Sequence, residues 1–202
     1  MFVLFTVWGY GVTIIEAASV ILAFLAIGLG IQGTRWTWPL YFLSSLLYGW
    51  LFVESHLFAS GAVQIVFMVA AVWGWFSWGR EGVRSPGRLT TTQRLAGVAG
   101  VGVGWALVVP LLQSVGGAGT WGDAFMLVGS LAGQVLMVLQ KVEAWPVWIA
   151  VNTVGVALYA SQGLYFTSLF YAVLIVMAIV GWRQWSARAA DHPAGSPAAT
   201  HA

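Results

Sequence analysis

Two amide side chains, Gln134 and Asn152, stand inside long apolar stretches, and so do a third amide, Gln64, and a hydroxyl, Ser45. Polar groups among hydrocarbon side chains are costly unless they find partners. They therefore gather at helix contacts or along a ligand path. An amide offers donors and acceptors without charge. That chemistry suits sugar hydroxyls or a carboxamide. Trp148 lies one helical turn from Asn152 on the same face and offers a flat stacking surface. A cationic ring stacked there gains about 0.5–2 kcal/mol of cation–π attraction. Tyr41, Tyr48 and Tyr171 are further aromatic candidates. The competing role for the polar residues is interhelical hydrogen bonding.

Catalytic chemistry has little to stand on. The chain has no cysteine, which removes disulfides, thiolate metal sites and cysteine nucleophiles. His56, His192 and His201 lie in a loop and in the tail. There is no H-E-x-x-H, no mid-span Asp pair and no G-x-x-x-x-G-K-[S/T] phosphate loop. No catalytic residue, metal or cofactor is expected. No Asp, Glu or His falls near the middle of a span, where proton-coupled transporters normally place one. The expectation is uncoupled passage.

The elements that must position these side chains are transmembrane helices. Of 202 residues, 60% are hydrophobic and 7% charged, and the mean hydropathy is +0.87. A soluble domain carries about 25% charged residues. A soluble enzyme, a nucleic-acid binder and a disordered chain are excluded, and the lipid bilayer is the expected surrounding. Seven stretches approach the roughly 20 apolar residues that a span needs: 13–32, 38–54, 60–79, 93–114, 121–140, 145–161 and 163–185. Residues 1–12 lack a basic n-region and an A-x-A site, and are not read as a cleaved signal peptide. With seven crossings, Arg35, Arg80, Arg84, Arg88, Arg94, Lys141, Arg183 and Arg188 all fall on one side. That side is cytoplasmic by the positive-inside rule. The expected topology is N-terminus outside and C-terminus inside, in the cell's inner membrane.

Sliding the chain so that Thr13 falls on Thr120 aligns 13–78 with 120–185 without a gap. Trp38-Pro39 then meets Trp145-Pro146, and Gly74-Trp75-Phe76-Ser77-Trp78 meets Gly181-Trp182-Arg183-Gln184-Trp185. Tyr41 meets Trp148, and Ser45 meets Asn152. The expected organisation is a first three-helix repeat at 13–79, a linker helix at 93–114, a second repeat at 120–185 and a disordered cytoplasmic tail at 186–202. The fold class is an all-α integral membrane protein of seven transmembrane helices in a 3+1+3, parallel-repeat, SWEET-like arrangement. Such folds bind substrate at the repeat interface near the midplane. The tryptophans at 36, 38, 75, 78, 145, 148, 182 and 185 read mostly as an interfacial belt. Glu16 and Asp123 open the first and fifth spans, where a carboxylate favours a helix start.

The run Trp36-Thr-Trp-Pro-Leu-Tyr-Phe-Leu-Ser-Ser-Leu-Leu-Tyr48, with Gly74-Trp75-Phe76-Ser77-Trp78, resembles the first half of the PnuC family of vitamin transporters. The second half is similar through Ser130-Leu-Ala-Gly-Gln134, Lys141-Val-Glu143-Ala-Trp145, Asn152, Gly163 to Tyr171 and Gly181-Trp182-Arg183. The resemblance covers 13–185. It implies uptake of an unphosphorylated B vitamin, mostly nicotinamide riboside, by facilitated diffusion and alternating access. A cytoplasmic kinase would then trap the product. Relatives carry riboflavin or thiamine, and Trp36-Thr-Trp-Pro39 resembles the riboflavin group. The resemblance also places Gln134 and Asn152 where the family contacts substrate. A non-transporting membrane binding subunit is the reading from another class, and homo-oligomerisation stays open.

Overall fold

The computed structural model describes residues 3–7, 10–54, 58–83, 85–114, 120–161 and 165–191. Seven α-helices stand where the apolar stretches predict them, and a short β-hairpin precedes them. The chain divides into two compact units, Met1–Val83 and Arg84–Ala202.

The first unit opens with an antiparallel pair, β1 (Val3–Val7) and β2 (Tyr10–Thr13). Thr13 ends the hairpin and caps α1 (Ile14–Gln32), its Oγ1 accepting from Glu16 N at 3.2 Å. One of the amides left free at a helix start is thereby satisfied. At the other end Gly33 takes φ 78°, cheap only for glycine. Thr34 N then bonds to Leu29 O and Gly33 N to Gly30 O, each at 3.0 Å, which closes the last turn. α2 (Thr37–Glu54) packs on α1, and α3 (Phe58–Ser77) packs on α2. The hydroxyls of α2 tie it to α1. Thr37 Oγ1 donates to Ala26 O at 2.6 Å, and Ser44 Oγ to Ser19 O at 2.9 Å.

In the second unit α4 (Thr91–Ser114) starts with a reciprocal cap. Gln93 N donates to Thr90 Oγ1 at 3.2 Å and Thr90 N to Gln93 Oε1 at 2.9 Å, a capping box. α5 (Thr120–Val138), α6 (Ala144–Ser161) and α7 (Tyr165–Asp191) follow, each packed on its predecessor. Ser168 Oγ of α7 donates to Val156 O of α6 at 3.0 Å. The loop before α4 is fastened to the α5–α6 turn, with Gly87 N bonded to Gln140 O and Val142 N to Gly87 O. α7 continues to Asp191, so 186–191, expected as the start of a tail, are helical. Ala187, Ala189 and Ala190 propagate a helix well. Positions 192–202, with His192 and His201, lie outside the described residues, as do His56 and the Gly116–Gly119 break.

By length and composition, α1, α4, α6 and stretches of α5 and α7 are long and apolar enough to cross a membrane, and Val63–Ser77 of α3 forms a shorter apolar helix. Trp, Tyr, Pro and Ser in α2 lower its hydropathy. The core of each unit is built on tryptophan. Trp38 sits where a Cβ on Gly74 would be, and Trp145 where a Cβ on Gly181 would be. Trp38 meets Trp78 edge-on at 5.0 Å, and Trp145 meets Trp185 edge-on at 5.5 Å. All four are buried. The belt expected at these positions is therefore only partial: Trp36 and Trp182 are exposed, while these four fill the packing between α2 and the end of α3 and between α6 and α7. An indole's apolar bulk serves either place.

Candidate substrate-binding site

In the second unit the candidates fall along three helices. Gly133 precedes Gln134 on α5, and a Cβ there would lie 3.0 Å from Trp148 Cε2 and 3.2 Å from its Nε1. The Trp148 indole therefore rests on the α5 backbone beside Gln134. Gln134 is 4% exposed, and its Nε2 has no hydrogen-bond partner. Asn152, one turn beyond Trp148 on α6, is also buried. Three residues further, Gly155 receives the Tyr171 ring of α7, whose Cδ1 would lie 2.5 Å from a Cβ at that position. Tyr171 in turn meets Tyr159 with ring centroids 5.1 Å apart. Amides and ring faces thus follow one another from Gln134 through Trp148 and Asn152 to Tyr171.

The first unit repeats the pattern in other residues. Tyr41, Ser45, Tyr48 and Gly49 share one face of α2 by helical spacing. Tyr41 meets Phe67 of α3 edge-on at 6.3 Å. Ser45 is buried. Gly49 lies against α3 with Gln64 beside it, a Cβ there falling 3.5 Å from Gln64 Cβ. Gln64 and Tyr171 are repeat equivalents, and each sits against a glycine of the preceding helix. Gln134 has Ile27 as its equivalent, so its amide belongs to the second unit alone.

The side chains of both lines are neutral, with donors, acceptors and aromatic faces in helices of apolar surface. Such a set offers hydrogen bonds and stacking faces suited to a flat ring carrying hydroxyl or amide groups. The sequence marks Gly133 and Gly155 only as small residues for helix packing, and the roles of Gly49, Phe67 and Tyr159 were missed. A glycine directly before Gln134 and another three residues after Asn152 were the available signal, since small residues let helices approach.

A family model described as nicotinamide mononucleotide transporter matches residues 13–187. The chain belongs to this family. Among curated relatives of the family, the riboflavin/roseoflavin transporter RibM of Streptomyces davaonensis is 32% identical over 174 residues, covering 82% of this chain and 81% of the relative. The nicotinamide riboside transporter PnuC of Escherichia coli is 28% identical over 225 residues, covering 96% and 92%. The crystal structure of the vitamin B3 transporter PnuC superposes with a TM-score of 0.72 over 88% of this chain and 83% of that one, at 22% identity. The fold is thus that of a solved membrane transporter, and the chain is a multi-pass membrane protein.

Proposed function

We propose that the chain takes up an unphosphorylated B vitamin, nicotinamide riboside first, by facilitated diffusion through alternating access. The observation that carries this is the buried, unpartnered Nε2 of Gln134 beside the Trp148 indole. A buried donor without a partner costs about 1–3 kcal/mol, and a substrate acceptor offsets that cost. Likeness to the E. coli nicotinamide riboside transporter, over 96% of the chain, supports the substrate. The one-sided distribution of lysine and arginine supports an inner-membrane protein with its N-terminus outside and its C-terminus in the cytoplasm. The two-repeat sequence pattern supports parallel three-helix repeats joined by α4. Trapping by a cytoplasmic phosphorylation would give the flux its direction.

A second reading, riboflavin on the same fold, is favoured by the 32% identity to the riboflavin/roseoflavin transporter. Calorimetric titration of the purified chain with each vitamin separates the two. Nicotinamide riboside is expected to bind, with affinity lowered at least about tenfold, or ~1.4 kcal/mol, in Gln134→Ala and in Asn152→Ala. Binding of riboflavin alone would transfer the assignment to the second reading. Binding of neither would overturn both.

A further inference from the structure

Two arginines, Arg88 and Arg183, meet the cytoplasmic end of α7. Arg88, in the loop before α4, donates from Nη2 to the Ser186 carbonyl at 3.3 Å. Its guanidinium is thereby seated on the last turns of α7. Arg183 lies three residues before Ser186, on the same side of the helix. Both arginines are exposed, and neither is paired with a carboxylate among the described residues. The nearby ion pair joins Arg94 to Glu143 at 2.8 Å. Arg188 turns away to Gln184 Oε1 at 3.3 Å. Asp191 stands eight residues past Arg183, about 12 Å further along the axis. Two guanidinium groups at one helix end raise a positive potential that an anion relieves.

Toward the membrane, the same face of α7 is open and apolar. Leu169, Val173, Val176 and Val180 recur at alternating spacings of four and three, and Arg183 continues the series. They are 60%, 43%, 61% and 41% exposed. Trp182 lies at the junction and is itself exposed, as suits an indole at headgroup depth. Ala187 and Ala190 leave the surface beside the arginines clear.

We propose that Arg88 and Arg183 hold the phosphate of an anionic phospholipid whose acyl chains lie along Leu169, Val173, Val176 and Val180. The planar, permanently charged guanidinium meets phosphate oxygens two at a time. The Ser186 contact fixes Arg88 in place for this. The charge and the apolar stripe together fit a lipid and leave a free anion with half the surface unused.

The test uses the full chain in vesicles of phosphatidylcholine alone and of phosphatidylcholine with phosphatidylglycerol. The readouts are the thermal unfolding midpoint and the phosphatidylglycerol retained after detergent extraction. Phosphatidylglycerol is expected to raise the midpoint of the unsubstituted chain and to remain bound. Arg183→Gln and Arg88→Gln should each weaken retention about fivefold, while Arg188→Gln should keep it. Arg183 makes no hydrogen bond or ion pair among the described residues, so Arg183→Lys, with partial retention, separates charge from folding. Unchanged retention in the Arg88→Gln/Arg183→Gln double variant would overturn the proposal. So would equal loss in Arg188→Gln, or the same rise in midpoint from inorganic phosphate in phosphatidylcholine vesicles.

Discussion

At Gly74 and Gly181 a Cβ would run into the indole of Trp38 or Trp145, and neither indole has room to retreat, since each is buried against a second tryptophan. Alanine at either glycine is expected to cost about 1–3 kcal/mol, read as a lower thermal midpoint in detergent. Gln134 should behave in the opposite sense. Leucine there removes a buried donor that has no partner, so Gln134→Leu is expected to hold or raise the midpoint while vitamin binding falls at least about tenfold, a split between stability and function that active sites commonly show. Calorimetry and thermal unfolding on the same preparation check both halves. Asn152 and Ser45 could be found from the sequence because a polar residue inside an apolar run is conspicuous. The burial of Trp38, Trp78, Trp145 and Trp185 could not. Tryptophan is equally at home at a lipid boundary and in a core, and only the glycine four residues before Trp78 and Trp185 hints at which.

Among the elements, α4 stands most exposed, with every described residue from Thr91 to Gly100 open. Its start therefore leans on its cap. Thr90→Ala removes the oxygen that accepts Gln93 N and is expected to cost about 1 kcal/mol, seen as faster amide hydrogen exchange over the first turn of α4. Glu143→Gln should be milder. Glu143 is 16% exposed, but its partner Arg94 is 50% exposed, and solvent at the arginine screens the pair. Helix positions were legible because each follows from a long apolar run closed by Gly, Pro or charge. The β1–β2 hairpin was not, since a mixed apolar run such as Val3–Val7 carries no period that separates strand from helix. The last turns of α7 escaped for a related reason. An alanine-rich, weakly polar stretch looks like a tail by hydropathy and like a helix by propensity.

For the whole molecule, the family and its fold rest on a match running from 13 to 187. Seven long apolar runs made the helical membrane fold visible in the sequence, whereas the contacts of Gln64 and Tyr171 with their glycines did not show until the helices were packed. Sealed vesicles containing only this chain should equilibrate vitamin to the outside concentration and go no higher when a proton gradient is imposed. Accumulation driven by that gradient would mean that a titrating group takes part. The two buried edge-on tryptophan pairs also have an optical consequence. Rings held at 82° and 84° with centroids 5.0 Å and 5.5 Å apart couple their electronic transitions, and each unit owns one such buried pair beside a more open one, Trp36–Trp75 at 5.4 Å and Trp105–Trp121 at 5.6 Å. The near-ultraviolet circular dichroism lost in Trp78→Phe or in Trp185→Phe, taken as the difference from the unsubstituted chain, would therefore report the melting of one unit at a time, without any label added.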